Sequence, residues 1–241
     1  MRDGLTRLLF PRKCPGCGIV LPTGALVCEE CSREFTLIKE PACMICGRPL
    51  EYGNEEMCYT CANSTRSNSF GVSIFIYDDL MRNAMSGLKF HGQTDNVDYF
   101  AAMAVSRAGA KIRSFEPCAL VPVPVHKTRL EERGYNQAEL ICEKIGEMME
   151  IPVVSDWLIR ARKTDFQKNL GSIMRRRNLE GAFALNEIDY PRERVESELS
   201  RVMIVDDIYT TGTTMENCAS KLKEAGVTEI GLLNISIGAG I

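Results

Sequence analysis

The stretch Val202-Met203-Ile204-Val205-Asp206-Asp207-Ile208-Tyr209-Thr210-Thr211-Gly212-Thr213-Thr214 decides how this 241-residue chain is read. Four apolar residues predict a short buried strand, and two adjacent acids follow it. A loop of small hydroxyl residues around one glycine comes next. Apolar spacing from Thr213 to Ala225, closed by Gly226, then predicts a helix. A loop that joins the carboxyl end of a parallel strand to a helix N-terminus aims backbone N–H groups at an anion. Thr210, Thr211, Thr213 and Thr214 add hydroxyl donors, and Gly212 lets the backbone approach closely. Asp206 and Asp207 repel a phosphate but suit the hydroxyls of an adjoining sugar. The order of acids, loop and helix therefore describes a site for a phosphorylated sugar, against the plainer reading of an acidic strand end beside a capped helix. It is not a Walker loop, because no Gly-x4-Gly-Lys precedes it.

Working outward, Val72–Tyr77, Ala119–Val123 and Ile230–Ile237 predict further strands, with Val153–Ile159 as another. Helical spacing covers Leu80–Phe90, Asn96–Ile112 and Gln137–Met149. Strands alternating with helices predict an α/β fold, a parallel sheet flanked by helices.

The strand, twin acids and threonine–glycine loop resemble the phosphoribosyl pyrophosphate (PRPP) signature of type I phosphoribosyltransferases. That resemblance implies that Asp206 and Asp207 face the ribose hydroxyls and that Thr210, Thr211, Gly212, Thr213 and Thr214 cradle the 5′-phosphate. A second loop, Val121-Pro122-Val123-Pro124-Val125-His126-Lys127-Thr128-Arg129, leaves a strand and turns basic, continuing to Arg133. Lys127, Arg129 and Arg133 are placed to neutralise a diphosphate, with Mg²⁺ bridging its oxygens; His126 reads as a loop residue. A third segment, Arg160 to Phe183, carries Arg162, Lys163, Arg175, Arg176 and Arg177. It fits a hood closing over the reacting centre, a contact to a nucleic-acid backbone, or a solvated helix face.

Ahead of these elements lie eight cysteines in four CxxC pairs: Cys14/Cys17, Cys28/Cys31, Cys43/Cys46 and Cys58/Cys61. Two pairs complete a closed four-thiolate site, the structural arrangement for Zn²⁺. The spacing allows one or two ions, with sequential or interleaved pairing. Zinc here folds a segment too small to build a core of its own. Cys118, Cys142 and Cys218 lack partners in sequence and read as small buried apolar residues. The composition changes near residue 65, so the chain divides into a zinc-binding module (1–65) and a phosphoribosyltransferase-like domain (66–241), joined through the polar stretch Asn63–Ser69.

Net charge is −3, and eight thiolates holding two Zn²⁺ would bring it to −7, so binding to nucleic acid depends on a local basic patch. No apolar run reaches a membrane span, and the N-terminus lacks a secretory pattern. With cysteines spaced as metal ligands, a cytoplasmic location is expected.

Nearly the whole chain resembles the ComF family. The resemblance rests on the paired cysteine motifs, Leu88-Lys89-Phe90-His91-Gly92, Val121-Pro122-Val123-Pro124, Arg133-Gly134-Tyr135-Asn136-Gln137, Gln167…Arg177-Asn178…Gly181-Ala182-Phe183 and the Asp206-Asp207 loop. It implies a double zinc ribbon before a type I phosphoribosyltransferase domain, and a part in DNA uptake during natural transformation. It further implies PRPP, single-stranded DNA and a helicase-like protein as partners. Two readings stay open: PRPP-dependent transfer to an acceptor, and a single-strand-binding factor in which the fold is a non-catalytic ligand site. Aromatics near the basic segments are few, Tyr135, Trp157, Phe166 and Phe183, and give little support for a stacking platform.

Overall fold

The computed structural model describes residues 11–51, 53–161 and 181–238. In chain order these form α1 (Glu29–Glu34), α2 (Tyr59–Ala62), β1 (Phe70–Ile76), α3 (Asp79–Phe90), α4 (Asn96–Phe115), β2 (Ala119–Pro122) and α5 (Lys127–Arg133). They continue with α6 (Gln137–Met149), β3 (Leu158–Arg160), β4 (Phe183–Leu185), α7 (Arg192–Glu198), β5 (Arg201–Tyr209), α8 (Thr213–Glu224) and β6 (Glu229–Ile237).

Strands β1, β6, β5 and β2 form one parallel sheet in that order. They are apolar on both faces, as parallel strands covered by helices require. Met203, Val205, Leu233 and Ile235 pack with α3, α4 and α6 on one side. Val202, Ile204, Ile230 and Leu232 pack with α8 and Trp157 on the other. The fold is the expected α/β arrangement, with the cysteine-rich module ahead of it. Helix starts follow the sequence: Asp78 accepts from the Met81 N–H at 2.9 Å, and Asn136 from the Ala138 N–H at 3.1 Å.

Several elements differ from the sequence reading. Strand β5 does not stop at Val205; β6 stays in register with it, pairing Asp206 with Asn234, Ile208 with Ser236 and Tyr209 with Ile237. The twin acids thus stand within the strand's last turn of pleat rather than after it. The strand expected over 153–159 is divided. Val153 makes one parallel bridge to Leu120, whereas Leu158–Arg160 pairs antiparallel with Phe183–Leu185. Between them the buried Trp157 stacks on Tyr190 at 5.4 Å and draws the chain away from the main sheet. The basic loop after Val125 contains α5, because His126 Nδ1 accepts from the Thr128 N–H at 3.3 Å and caps a helix there. Cys142 and Cys218 are buried as expected, but Cys118 is exposed, sitting at the open amino end of β2.

The cysteine-rich residues lie along the free edge of β1. The Ile38 N–H donates to Ile74 O (2.9 Å) and the Ile76 N–H to Thr36 O (2.8 Å), an antiparallel pairing that covers what would otherwise be an unpaired edge. Further along, the Gly71 N–H donates to Met44 O at 2.7 Å and Ser73 Oγ to Cys46 O at 2.8 Å. Gly47 sits at φ +74° with its Cα hydrogen toward β1, and a Cβ there would lie 2.2 Å from Ser73 N. Backbone cannot yield as a side chain can. Gly47→Ala is therefore expected to cost about 3 kcal/mol, read as a lower urea midpoint at unchanged slope.

Candidate sugar-phosphate site and zinc centres

The carboxyl ends of β5 and β2 lie side by side, since Pro122 pairs with Val205. Their following segments are thereby brought together at the edge where open parallel sheets hold ligands. Asp206 Oδ1 accepts from the Asp207 N–H at 2.9 Å, which fixes the two carboxyls relative to each other. Asp207 Oδ2 is ion-paired with Lys89 Nζ at 2.7 Å, and Ser236 Oγ donates to Asp207 O at 3.0 Å from β6. Burial, then the charge of Asp207, pushes the Asp206 carboxyl up to about 8, against the pull of Lys89 and Arg160. The twin acids are chemically unequal: one is engaged by a cation, while the other keeps its proton near neutrality.

Past Tyr209 the chain turns through Thr210, Thr211 and Gly212 into α8. Gly212 takes φ +78°, and a Cβ there would lie 2.1 Å from Tyr209 Oη. A side chain at 212 would collide with the Tyr209 ring, so packing behind the loop by itself requires glycine here. Thr211 Oγ1 and Thr213 Oγ1 share a hydrogen at 2.8 Å; Thr210 is exposed and Thr214 half-buried.

Of the second loop, Arg133 and Arg129 reach this region. Burial and the charge of Arg129 lower the pKa of the Arg133 guanidinium while Asp207 opposes them. Arg133 Nη1 donates to Gln137 Oε1 at 2.9 Å, and its guanidinium lies over the Phe90 ring at 5.0 Å. Lys127 behaves otherwise: its side chain is 83% exposed and it pairs with Glu131 at 3.8 Å. The intervening residues hold the loop in place. Tyr135 Oη donates to Leu88 O at 2.5 Å, tying the loop to the end of α3, and Asn136 Nδ2 donates to Val123 O at 3.0 Å. Arg162, Lys163, Arg175, Arg176 and Arg177, like Phe166, lie outside the described residues.

Sequence reasoning missed two contributors and set a third, Arg160, only among the cations of the basic segment 160–183. Lys89 carries no signal in the sequence beyond its place in the Leu88–Gly92 motif. Arg160 is half-buried with its guanidinium 5.5 Å from the Phe183 ring, and it feels the charges of Arg129 and Asp206. The other missed contributor is the brace behind the Thr210–Gly212 loop. Arg48 Nη1 donates to Gly238 O at 2.7 Å and Nη2 to Thr210 O at 3.4 Å, while Ser67 Oγ donates to Glu216 Oε1 at 2.6 Å. The polar stretch 63–69, expected only as a connector, thus carries part of this brace.

The eight CxxC cysteines form two groups, Cys14, Cys17, Cys28, Cys31 and Cys43, Cys46, Cys58, Cys61, with the sulfurs of each group within 4.8 Å of one another. This resolves the pairing as sequential. Sulfur separations of 3.6 Å (Cys14–Cys28), 3.8 Å (Cys17–Cys28) and 3.8 Å (Cys46–Cys58) match the edge of a tetrahedron with Zn–S bonds of about 2.3 Å. Burial and then the Cys28 sulfur push the Cys31 thiol up, and the Cys43 sulfur pushes Cys46 up. Four thiolates this close need a divalent cation between them, and the donor sets are those of structural Zn²⁺. In the second group all four cysteines are buried, whereas in the first Cys17 is exposed.

A cleft of about 380 Å³ lies between Pro11–Leu26 and Asp98, Lys144 and Met148, away from the carboxylates. It holds no convergent set of acids, cysteines or phosphate-binding loops. Among the described residues no helix is long and apolar enough to cross a membrane.

The double zinc ribbon domain family matches residues 5–62. Competence protein F of Haemophilus influenzae is 30% identical over 85% of this chain and 87% of its own length. Competence protein ComFC of Bacillus subtilis is 27% identical over 83% of this chain and 79% of its own. The DNA utilization protein YhgH of Escherichia coli is 26% identical over 92% and 96%. With a relative 30% identical over 85% of its length, the chain belongs to the ComF family of competence proteins.

Proposed function

We propose that the crevice at the carboxyl ends of β5 and β2 binds PRPP, and that the protein acts in the cytoplasm in DNA uptake as a PRPP-dependent phosphoribosyltransferase. The observation that carries this reading is the single arrangement of Asp206 and Asp207 entering a loop that opens α8, faced by Lys89 and Arg133. The carboxylates suit the ribose hydroxyls and the loop N–H groups suit the 5′-phosphate. Lys89, Arg129 and Arg133 offer charge to the diphosphate as the C1–oxygen bond breaks and a bond to the acceptor nucleophile forms. Hard carboxylate oxygens beside these cations suit Mg²⁺, whose contribution when bound with PRPP is to neutralise diphosphate oxygens. Relatives named competence proteins and DNA utilization protein support a part in DNA uptake; single-stranded DNA and a helicase-like protein as partners are the extension of that reading that we propose.

Calorimetric titration with PRPP and Mg²⁺ tests this, followed by a screen for pyrophosphate release over candidate bases and amines. Saturable heat that ribose 5-phosphate competes away supports the reading, and a silent titration overturns it. Heat without pyrophosphate release over any acceptor selects the non-catalytic reading, in which PRPP is a ligand only.

Asp206 gives the binding a pH signature. Its carboxyl is raised on folding, so between about pH 4 and pH 8 the folded chain holds a proton that the unfolded chain has lost. Its contribution to stability is accordingly present at low pH and declines as pH climbs through that range. A ligand that needs the carboxylate displaces this proton. PRPP affinity is therefore expected to rise toward pH 8 with a slope approaching about one log unit per pH unit, then level. Asp206→Asn should remove that part of the slope, which separates it from the titration of PRPP itself.

A further inference from the structure

Among the described residues, the aromatics that the sequence sets near the basic segments are largely covered. Trp157 and Phe183 are buried, and Tyr135 is half-buried with its hydroxyl committed to Leu88 O. Among the described residues, the aromatic that stands open at the site is Phe90, 68% exposed, at the end of α3 directly after Lys89. A lone exposed phenylalanine is ordinary, but the surroundings of this one are not. Arg133 covers one face at 5.0 Å, and Arg133 is itself held by Gln137 Oε1. Lys89 next door pairs with Asp207 at 2.7 Å, so the ring sits beside the proposed sugar-phosphate crevice. A ring fixed from one side by a guanidinium offers its other face with little ordering cost.

We infer that Phe90, backed by Arg133, is a stacking platform for a nucleobase. The inference deepens the proposed function and rests on it for the neighbouring sugar-phosphate site. Cations gathered around Lys89, Arg129 and Arg133 select a phosphate-bearing ligand, and an open aromatic face selects a planar one; a nucleotide unit unites both. The nucleobase has two sources. It is either the acceptor in phosphoribosyl transfer or a base of a single DNA strand laid across the crevice mouth.

The test uses the full zinc-loaded chain. Phe90→Trp places an exposed indole at the platform, apart from the buried Trp157. Its fluorescence is followed on adding oligothymidylate, an abasic strand of equal length, free nucleobases and nucleoside monophosphates, the last two with and without PRPP. A base-bearing probe is expected to quench it. Phe90→Ala is expected to weaken that probe about tenfold, Phe90→Trp to retain the affinity, and the abasic strand to bind all forms alike. Quenching by oligothymidylate alone assigns the base to a DNA strand; quenching by free bases or nucleotides assigns it to the acceptor. Absence of quenching by every probe, no change in Phe90→Ala, or equal weakening of abasic and base-bearing strands overturns the platform. PRPP heat is measured on Phe90→Ala as well, to show whether the crevice still forms. A silent PRPP titration in the parent chain fails the earlier reading, whereas intact PRPP heat with no sensitivity at Phe90 fails only this one.

Discussion

Asp206→Asn combined with Asp207→Asn is expected to weaken PRPP by at least about a hundredfold, since each charge-assisted hydrogen bond to a hydroxyl contributes roughly 1.5–3 kcal/mol. The fold should survive. Asparagine preserves the shape of both side chains, the Asp206 amide oxygen still accepts from the residue-207 N–H, and burying an amide removes the conflict that raises Asp206. The double variant is in fact expected to gain thermal stability above neutral pH, where the native carboxyl is forced to ionise. The exception is Lys89, which loses its ion pair with Asp207 and is left 21% exposed beside neutral amides. Calorimetry with PRPP and a melting curve on the same sample separate the two effects. Full PRPP affinity in the double variant removes the carboxylates from the ligand site.

Chelating zinc is expected to have the other large effect. Structural Zn²⁺ in four-thiolate sites binds with roughly 10–16 kcal/mol, and that energy is folding energy for the segment around it. Here the segment is not independent. The second ribbon accepts hydrogen bonds from β1 at Met44 O and Cys46 O, and its Arg48 reaches Gly238 O and Thr210 O behind the Thr210–Gly212 loop. Losing the metal at Cys43, Cys46, Cys58 and Cys61 therefore exposes a sheet edge and loosens the loop together. Cys46→Ser is expected to lower the melting temperature far more than Cys17→Ser, because Cys46 is buried against β1 and Cys17 is exposed. A colorimetric zinc-release assay gives the occupancy, and urea titration gives the stability. Equal effects of the two substitutions would mean that the second ribbon is not coupled to the sheet.

The legible part of the fold was the part written in near neighbours. Helix α6 was read over its observed span, because Asn136 caps it and apolar residues recur at helical spacing. Strand β6 was read within a residue, because eight of its nine residues are buried and both faces are apolar. The basic turn after Val125 was misread because α5 buries no side chain, and a helix without an apolar face leaves no periodicity to find. The division near Trp157 was invisible for a different reason. Val153–Ile159 is apolar except at Ser155 and Asp156, and such a stretch reads as one strand whether it stays in a sheet or turns into a second core.

The chain by itself determined the chemistry that depends on residue order: thiolates at metal spacing, two acids before a threonine–glycine loop, and the alternation that builds a parallel sheet. Those features survive any packing, because covalent spacing confines them. Tertiary structure alone decided which charges meet. Parallel register between β2 and β5, with α3 packed across one face, carries Lys89 and Arg133 to the acids while Lys127 is left in solvent. It also made the twin acids unequal, since proton affinity is set by burial and by neighbouring charge, and both come from residues far away in sequence.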